Sequence, residues 1–310
     1  FAPWAAAISA MSRPMPRPAP VTMTDLPSSI PMFSVSLVTP RVGLSCGPIL
    51  TQTRGFASAL TLMPQADTDA ARRAYWTEQL EAAYRFMFNA VLPYPVAECG
   101  EPLVSLRQAV EQAEVVVQFS DQPHVRGLPR LYYLRDGQMP DFISAAADMN
   151  ARGWVLRVED GYRTPEMQKY LGRTPQVFDA ILKSVMWELD GQRPTPEFMF
   201  RRCSALVASV PKFGTHMSGS AIDISVRYLD DPAREVDRGA PYLETSVKTP
   251  MDSPFVSAEA QRNRRDIRAL MLRHGFVGYP YEFWHFSSGD AYEQVLRQTG
   301  QPARYGAVSW

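Results

Sequence analysis

The chain has 310 residues, 32 basic and 32 acidic side chains, and 45% apolar residues. That length supports one large domain or two small ones with a sizeable core, and with zero formal charge nothing global argues for a nucleic-acid partner or a strongly charged surface. No apolar run has the roughly 18 residues of a membrane span, and the three cysteines form no CxxC pair, which excludes a zinc knuckle or redox motif.

Residues 1–66 carry ten prolines and only five charged residues, and neither a helical nor a strand period persists there. Proline at that density resists regular structure. The reading is a Pro-rich leader, disordered or targeting, with one domain over residues 67–310. Within the leader, "WAAAISAM" faintly resembles the end of a signal peptide and "VGLSCG" around Cys46 a lipoprotein site, although Pro40 and Arg41 interrupt the apolar stretch before it. The expectation favours the cytoplasm, with a periplasmic or lipid-anchored protein as the alternative if this segment is a signal. Cys46, Cys99 and Cys203 are read as free thiols.

A helix is predicted from Asp69 to Leu92, where Tyr75, Leu80, Tyr84, Met87 and Phe88 form a rough apolar face. "VVVQF" (115–119) and "RLYYL" (130–134) read as strands. Residues 140–152 read as a helix stopped at Gly153, and "WVLRVED" (154–160) as a strand leading into "GYR". The pairs Thr164-Pro165, Thr174-Pro175 and Thr195-Pro196 each suit a helix start. Thr can cap free N–H groups, and Pro fits the first helical position. "SAIDISV" (220–226) alternates like a strand. A helix over 257–274, strands in "GFVGY" and "EFWHF", and a helix over 290–299 complete the chain. Strands mixed with helices, without a βαβ rhythm, indicate an α+β fold with a small central antiparallel sheet flanked by helices.

Two of the four histidines stand in dense polar-aromatic contexts. "GTHMSGSAIDIS" holds His216 and Asp223; "YEFWHFSSGD" holds Glu282 and His285. Two His and one Asp are good zinc ligands, and three protein ligands leave a position for water. A nearby carboxylate could then take a proton from that water. The spacing of Glu282 and His285 poses a difficulty, because residues three apart on a regular strand point to opposite faces. An irregularity is therefore expected between them. His124 and His274 are assigned no chemical role; His274 sits near a helix C-terminus, where partial positive charge is favourable.

Three segments, in order, resemble a known family. "VEDGYRTPEMQ" resembles the D-x-Y-R-[PT] element of the zinc D,D-peptidases, "HMSGSAID" their H-x-x-G-x-A-x-D element, and "EFWH" their E-x-W-H element. The family includes VanX-type D-alanyl-D-alanine dipeptidases, D,D- and L,D-carboxypeptidases and phage endolysins. The resemblance implies one zinc per chain on His216, Asp223 and His285, with Glu282 as catalytic base. It implies that Arg163 steadies the oxyanion or holds the scissile carbonyl, with Asp160 in the preceding turn at the substrate. Two positions depart from the pattern: Gly214, with Thr215 beside it, stands where the dipeptidases carry a serine, and "EFWH" stands where they carry two tryptophans.

The 59-residue step from Asp223 to Glu282 is long and resembles the dipeptidase branch, in which an insertion narrows the pocket. Residues 227–262 are polar and turn-rich, and Glu244 is the candidate partner for a substrate ammonium, with Thr215 as a further substrate contact. The expected activity is hydrolysis of D-alanyl-D-alanine or a similar small dipeptide, without a nucleic-acid partner. The alternatives are a carboxypeptidase acting on peptidoglycan stems and a non-catalytic zinc-containing binding module.

Overall fold

The computed structural model describes residues 67–208 and 210–309. The expectations for residues 1–66, Cys46 included, lie outside the described residues. Cys99 and Cys203 are both free thiols.

Helix α1 (Asp69–Arg85) starts at Thr68, whose hydroxyl accepts the Ala71 N–H. It runs on into a π-helical stretch, Phe86–Val91, so the expected helix is present but changes pitch in its last turns. Strand β1 (Leu103–Ser105) and helix α2 (Leu106–Ala113) escaped the sequence reading. A three-residue strand is too short to show a period, and the only local cue was Ser105, which caps α2. Then come β2 (Val117–Phe119), β3 (Tyr133–Arg135), α3 (Met139–Ala151) and β4 (Trp154–Asp160).

All three Thr-Pro pairs open helices: α4 (Pro165–Leu171), α5 (Pro175–Glu188) and α6 (Pro196–Leu206). Thr164 and Thr195 cap them as expected. Thr174 instead turns its hydroxyl to the Tyr170 carbonyl at 2.8 Å. The chain ends its described course with β5 (Ala221–Tyr228), α7 (Ala258–Arg273), β6 (Val277–Gly278), β7 (His285–Ser287) and α8 (Ala291–Arg297). Among the described residues no helix is long and apolar enough to cross a membrane.

The central sheet runs β2-β4-β5-β7-β6, and β1 and β3 form a separate antiparallel pair. The fold is α+β, with one departure from the expected antiparallel sheet: β2 joins β4 in parallel. The intervening β3 and α3 provide the long crossover a parallel neighbour requires.

Register decides what each face of this sheet carries. Ile222, Ile224 and Val226 of β5 point into the main core with Leu156 and Val158 of β4 and Phe286 of β7. Helices α3 and α7 cover that face with Phe142, Ala145, Met149, Ile267, Leu270 and Met271. Truncating Ile224 to Ala would cost about 2–5 kcal/mol and disturb the strand bearing Asp223.

The opposite face carries Asp223, paired with His285 on β7 and with Asp160 on β4. Strict alternation would put Asp160 on the core face beside Val158. A register shift between these two residues, a β-bulge, turns it over to join Asp223.

Residues 229–257, between β5 and α7, are irregular but tied down. Buried Arg264 donates to the carbonyls of Arg238, Pro250 and Lys248 at 2.7–2.9 Å. Buried Arg238 donates to the Ile224 carbonyl at 2.8 Å. Both guanidiniums lie over the Phe283 ring. Arg264 has few acidic neighbours, so burial and Arg238 pull its pKa down to about 10.

Candidate metal centre

His216 lies in a 3-10 turn, Thr215–Ser218, which closes at Gly219 with φ +65°. That angle suits glycine, and a side chain there would also strike Leu103. His216 Nε2 is 3.2 Å from Asp223 Oδ1, and His285 Nδ1 is 3.0 Å from the same oxygen. All three residues are buried, and their ligand atoms lie within 4.8 Å of one another.

The outer nitrogens of both rings are engaged. His216 Nδ1 donates to the Gly161 carbonyl at 2.7 Å. Gly161 itself touches the Leu131 carbonyl so closely that a Cβ would sit 2.8 Å from it. With the proton on Nδ1, a neutral His216 aims the lone pair of Nε2 at a carboxylate oxygen. Such a contact is repulsive unless a proton or cation stands between them. His285 Nε2 is 2.9 Å from Thr215 Oγ1, a hydroxyl that can accept its N–H and leave Nδ1 free as a ligand. The donor set therefore fits a divalent metal with one anionic and two imidazole ligands.

Asp223 Oδ2 faces away from the histidines. It accepts Tyr242 Oη at 2.9 Å and Arg163 Nη2 at 3.3 Å. Burial works to raise the Asp223 carboxyl, but His216 and then His285 hold it well below its usual range. Burial and the adjacent carboxylates push the Tyr242 hydroxyl well up, so it remains a donor.

Arg163 is oriented by three acceptors. Its Nε donates to Asp160 Oδ2 at 2.7 Å and its Nη1 to Gln168 Oε1 at 3.3 Å, besides the bond to Asp223. A guanidinium has five N–H groups, so two remain for a substrate oxygen.

Glu282 sits in the turn between β6 and β7, where its N–H meets the Tyr279 carbonyl and its carbonyl accepts the His285 N–H, each at 3.3 Å. This is the irregularity expected from the spacing: β7 begins only at His285, so Glu282 is not bound to strand alternation. Burial raises its pKa to about 7, with His285 and Arg163 pulling down and Asp223 pushing up.

The three residues expected at the substrate are engaged within the protein. Asp160 is fully buried; its Oδ1 accepts the Gly161 N–H and its Oδ2 faces Arg163 and Arg130. Its place is that of a support for arginine. Thr215 is buried and occupied with His285 rather than open to a ligand. Glu244 is half-buried with its carboxylate on the Ser246 hydroxyl, and no hydrogen bond joins it to the cluster. The serine position of the family pattern is closed to a side chain unless Met217 moves, since a Cβ on Gly214 would lie 2.4 Å from the Met217 methyl.

Tyr242 and Arg130 were missed by sequence reasoning. Neither lies in a motif, and nothing local marks a tyrosine in a polar loop as a partner for a carboxylate 19 residues earlier. Gln168 stands inside the quoted "VEDGYRTPEMQ" element, which was the available signal.

A family profile described as D-ala-D-ala dipeptidase (peptidase M15) matches residues 138–301. A D-alanyl-D-alanine dipeptidase of Synechocystis sp. is 28% identical over 249 residues, spanning 70% of this chain and 96% of that protein. One from Escherichia coli K12 is 38% identical over 80 residues, 26% of this chain and 40% of that protein. Among solved structures, the LdcB LD-carboxypeptidase aligns with TM-score 0.34 at 17% identity, over 68% of this chain and 80% of its own. The VanY D,D-pentapeptidase in complex with Zn(II) aligns with TM-score 0.31 at 15% identity, over 60% of this chain and 97% of its own.

Proposed function

The chain belongs to the peptidase M15 family, that of the D-Ala-D-Ala dipeptidases, and on that premise we propose that it is a zinc peptidase hydrolysing D-alanyl-D-alanine or a similar small dipeptide. His216 Nε2, Asp223 Oδ1 and His285 Nδ1 would hold the ion. Zinc bound there would supply a Lewis acid that polarises the scissile carbonyl and makes water easier to deprotonate.

The chain's own residues do the rest. Glu282 takes the proton of the attacking water on its carboxylate and returns it to the leaving amine. A carboxyl with pKa near 7 suits both halves of that exchange, and a nearby cation would shift it toward the base form. Arg163 meets the carbonyl oxygen with its two spare N–H groups as negative charge develops there. Its bonds to Asp160, Gln168 and Asp223 fix the guanidinium beforehand, so little reorganisation is needed. The presence of Glu282 in the turn just before His285 favours an enzyme over a binding module.

One observation carries the preference for a small substrate. Tyr242, from the irregular segment 229–257, reaches Asp223, so the segment crosses the site instead of lying apart from it. Its neighbour contact is edge-on to Trp284, and the Phe283 N–H donates to the Thr249 carbonyl at 3.1 Å. On this reading the segment, pinned at these points, forms a wall that obstructs a continuing chain.

The test compares kcat/KM on D-Ala-D-Ala with that on a tripeptide ending in D-Ala-D-Ala. Steric exclusion should favour the dipeptide by more than the roughly 10–200-fold that a simple apolar pocket supplies. Equal or better cleavage of the tripeptide would make the enzyme a carboxypeptidase and leave the metal chemistry intact.

A further inference from the structure

Helices α4, α5 and α6 enclose a groove of about 470 Å³, and none of His216, Asp223, Glu282, His285, Arg163 or Tyr242 lines it. Buried Gln168, Ile181 and Met217 form its floor. The Gln168 amide is already engaged at both ends: Oε1 accepts Arg163 Nη1 at 3.3 Å, and Nε2 donates to the Ala208 carbonyl at 3.0 Å. Val177, Val207 and the half-buried free thiol of Cys203 continue the lining. Phe178 on α5 and Phe200 on α6 line the same groove with 54% and 56% of their surface exposed. Two large apolar side chains left so open beside one recess mark a surface that gains by being covered.

The charge around the groove is one-sided. Lys169 on α4 and Arg173 in the turn after it line its edge four residues apart, and both are exposed. Among the described residues neither forms an ion pair, and no Asp or Glu lines the groove. The acids nearby in sequence are engaged, Glu166 with the Tyr170 hydroxyl at 2.8 Å and Asp179 with Lys183 at 2.6 Å. An occupant that matches this lining has an apolar body and one anionic end. A guanidinium beside an ammonium suits a carboxylate, the first through its planar fork and the second as a point charge. The apolar surface is recessed between three helices, and its volume falls within the roughly 300–1,000 Å³ of small-molecule sites. That shape fits a single small molecule better than the flat face of a macromolecule.

We propose that this groove binds a small aliphatic carboxylate, with its chain against Ile181, Val207 and Met217 and its head group at Lys169 and Arg173. The site is separate from the metal centre and does not depend on the peptidase reading above.

The probe is decanoate, titrated by calorimetry into the full chain as wild type and as the double variant Lys169→Gln/Arg173→Gln. Acetate tests the head group alone, and decyltrimethylammonium tests the same chain with the opposite charge. Decanoate should bind once per chain, at least tenfold tighter than either comparator. The double variant should weaken it by roughly 10–100-fold, the worth of charge-assisted bonds, with an unchanged circular dichroism spectrum. Saturating decanoate should also slow alkylation of Cys203 by iodoacetamide about threefold or more, and leave Cys99, which is exposed and outside the groove, at its original rate.

Equal binding of decyltrimethylammonium would show unselective apolar adsorption and overturn the proposal. So would undiminished affinity in the double variant, or binding that leaves Cys203 unprotected, since the occupant would then sit elsewhere. Absence of decanoate binding to wild type overturns it outright. Should the double variant fail to fold, the comparators and the protection of Cys203 in wild type decide the matter. None of these readouts involves hydrolysis, so a chain that cleaves no dipeptide would refute the peptidase reading and leave this test intact.

Discussion

The site has two kinds of support. Asp160, Asp223 and His285 stand side by side on β4, β5 and β7, in positions set by strand register. His216, Glu282 and Tyr242 come from a 3-10 turn, an inter-strand turn and an irregular segment. The strand-borne group lies on the reverse of the best-packed face of the molecule, so it can shift only if the core shifts. The loop-borne group is free of alternation and can approach from directions a strand does not allow. Two of the three proposed ligands, Asp223 and His285, have the first kind of support; His216, the proposed base and the segment bearing Tyr242 have the second.

Asp223→Asn is the sharpest way to break this arrangement. It removes the one charge that both histidines, Arg163 and Tyr242 share. Purified variant protein should contain almost no zinc where wild type holds about one per chain. Equal metal content in the two would refute the proposed centre.

Glu282→Gln tests the loop-borne side and should give the next largest effect. Zinc stays, and turnover falls by about 10²–10⁴-fold, the usual range for losing a general base. A variant with near-normal turnover would make Glu282 structural. The same substitution has a second readout in metal-free protein. A carboxyl raised from its ordinary 4.5 to about 7 stabilises the fold below pH 4.5 relative to higher pH, and that contribution disappears as pH rises through 7. Metal-free Glu282→Gln should therefore melt above metal-free wild type at pH 8 and gain less, or nothing, at pH 4.5. Identical pH profiles of Tm would show that the Glu282 carboxyl is not desolvated.

Tyr242→Phe is the mildest perturbation, since it deletes one hydroxyl donor to Asp223 and keeps the ring against Trp284. Loss of a bond behind a metal ligand should weaken zinc by roughly 10–100-fold in a chelator competition, with a smaller effect on turnover than Glu282→Gln. Unchanged affinity would mean that the segment 229–257 shapes the pocket without tuning the metal.

Local chemistry made much of this molecule legible in the sequence. The Thr-Pro helix starts, the stop at Gly153 and the strand 154–160 depend on neighbouring residues alone, and all appear where expected. Motif spacing singled out His216, Asp223 and His285, which the structure brings together, and with them Glu282 and the irregularity before His285. Other features depend on residues distant in sequence. The bulge that turns Asp160 toward Asp223 exists only in the pairing of β4 with β5. The parallel placement of β2 follows from how its crossover packs. Thr215, Asp160 and Glu244 were assigned to a substrate from sequence position, yet their hydrogen bonds are taken by His285, the arginines and Ser246. Tyr242 and Arg130 gained their places through the same long-range geometry. Residue type and spacing specify which atoms can bind a metal or move a proton. Which of those atoms remain free is settled only when the folded chain has satisfied every other buried polar group.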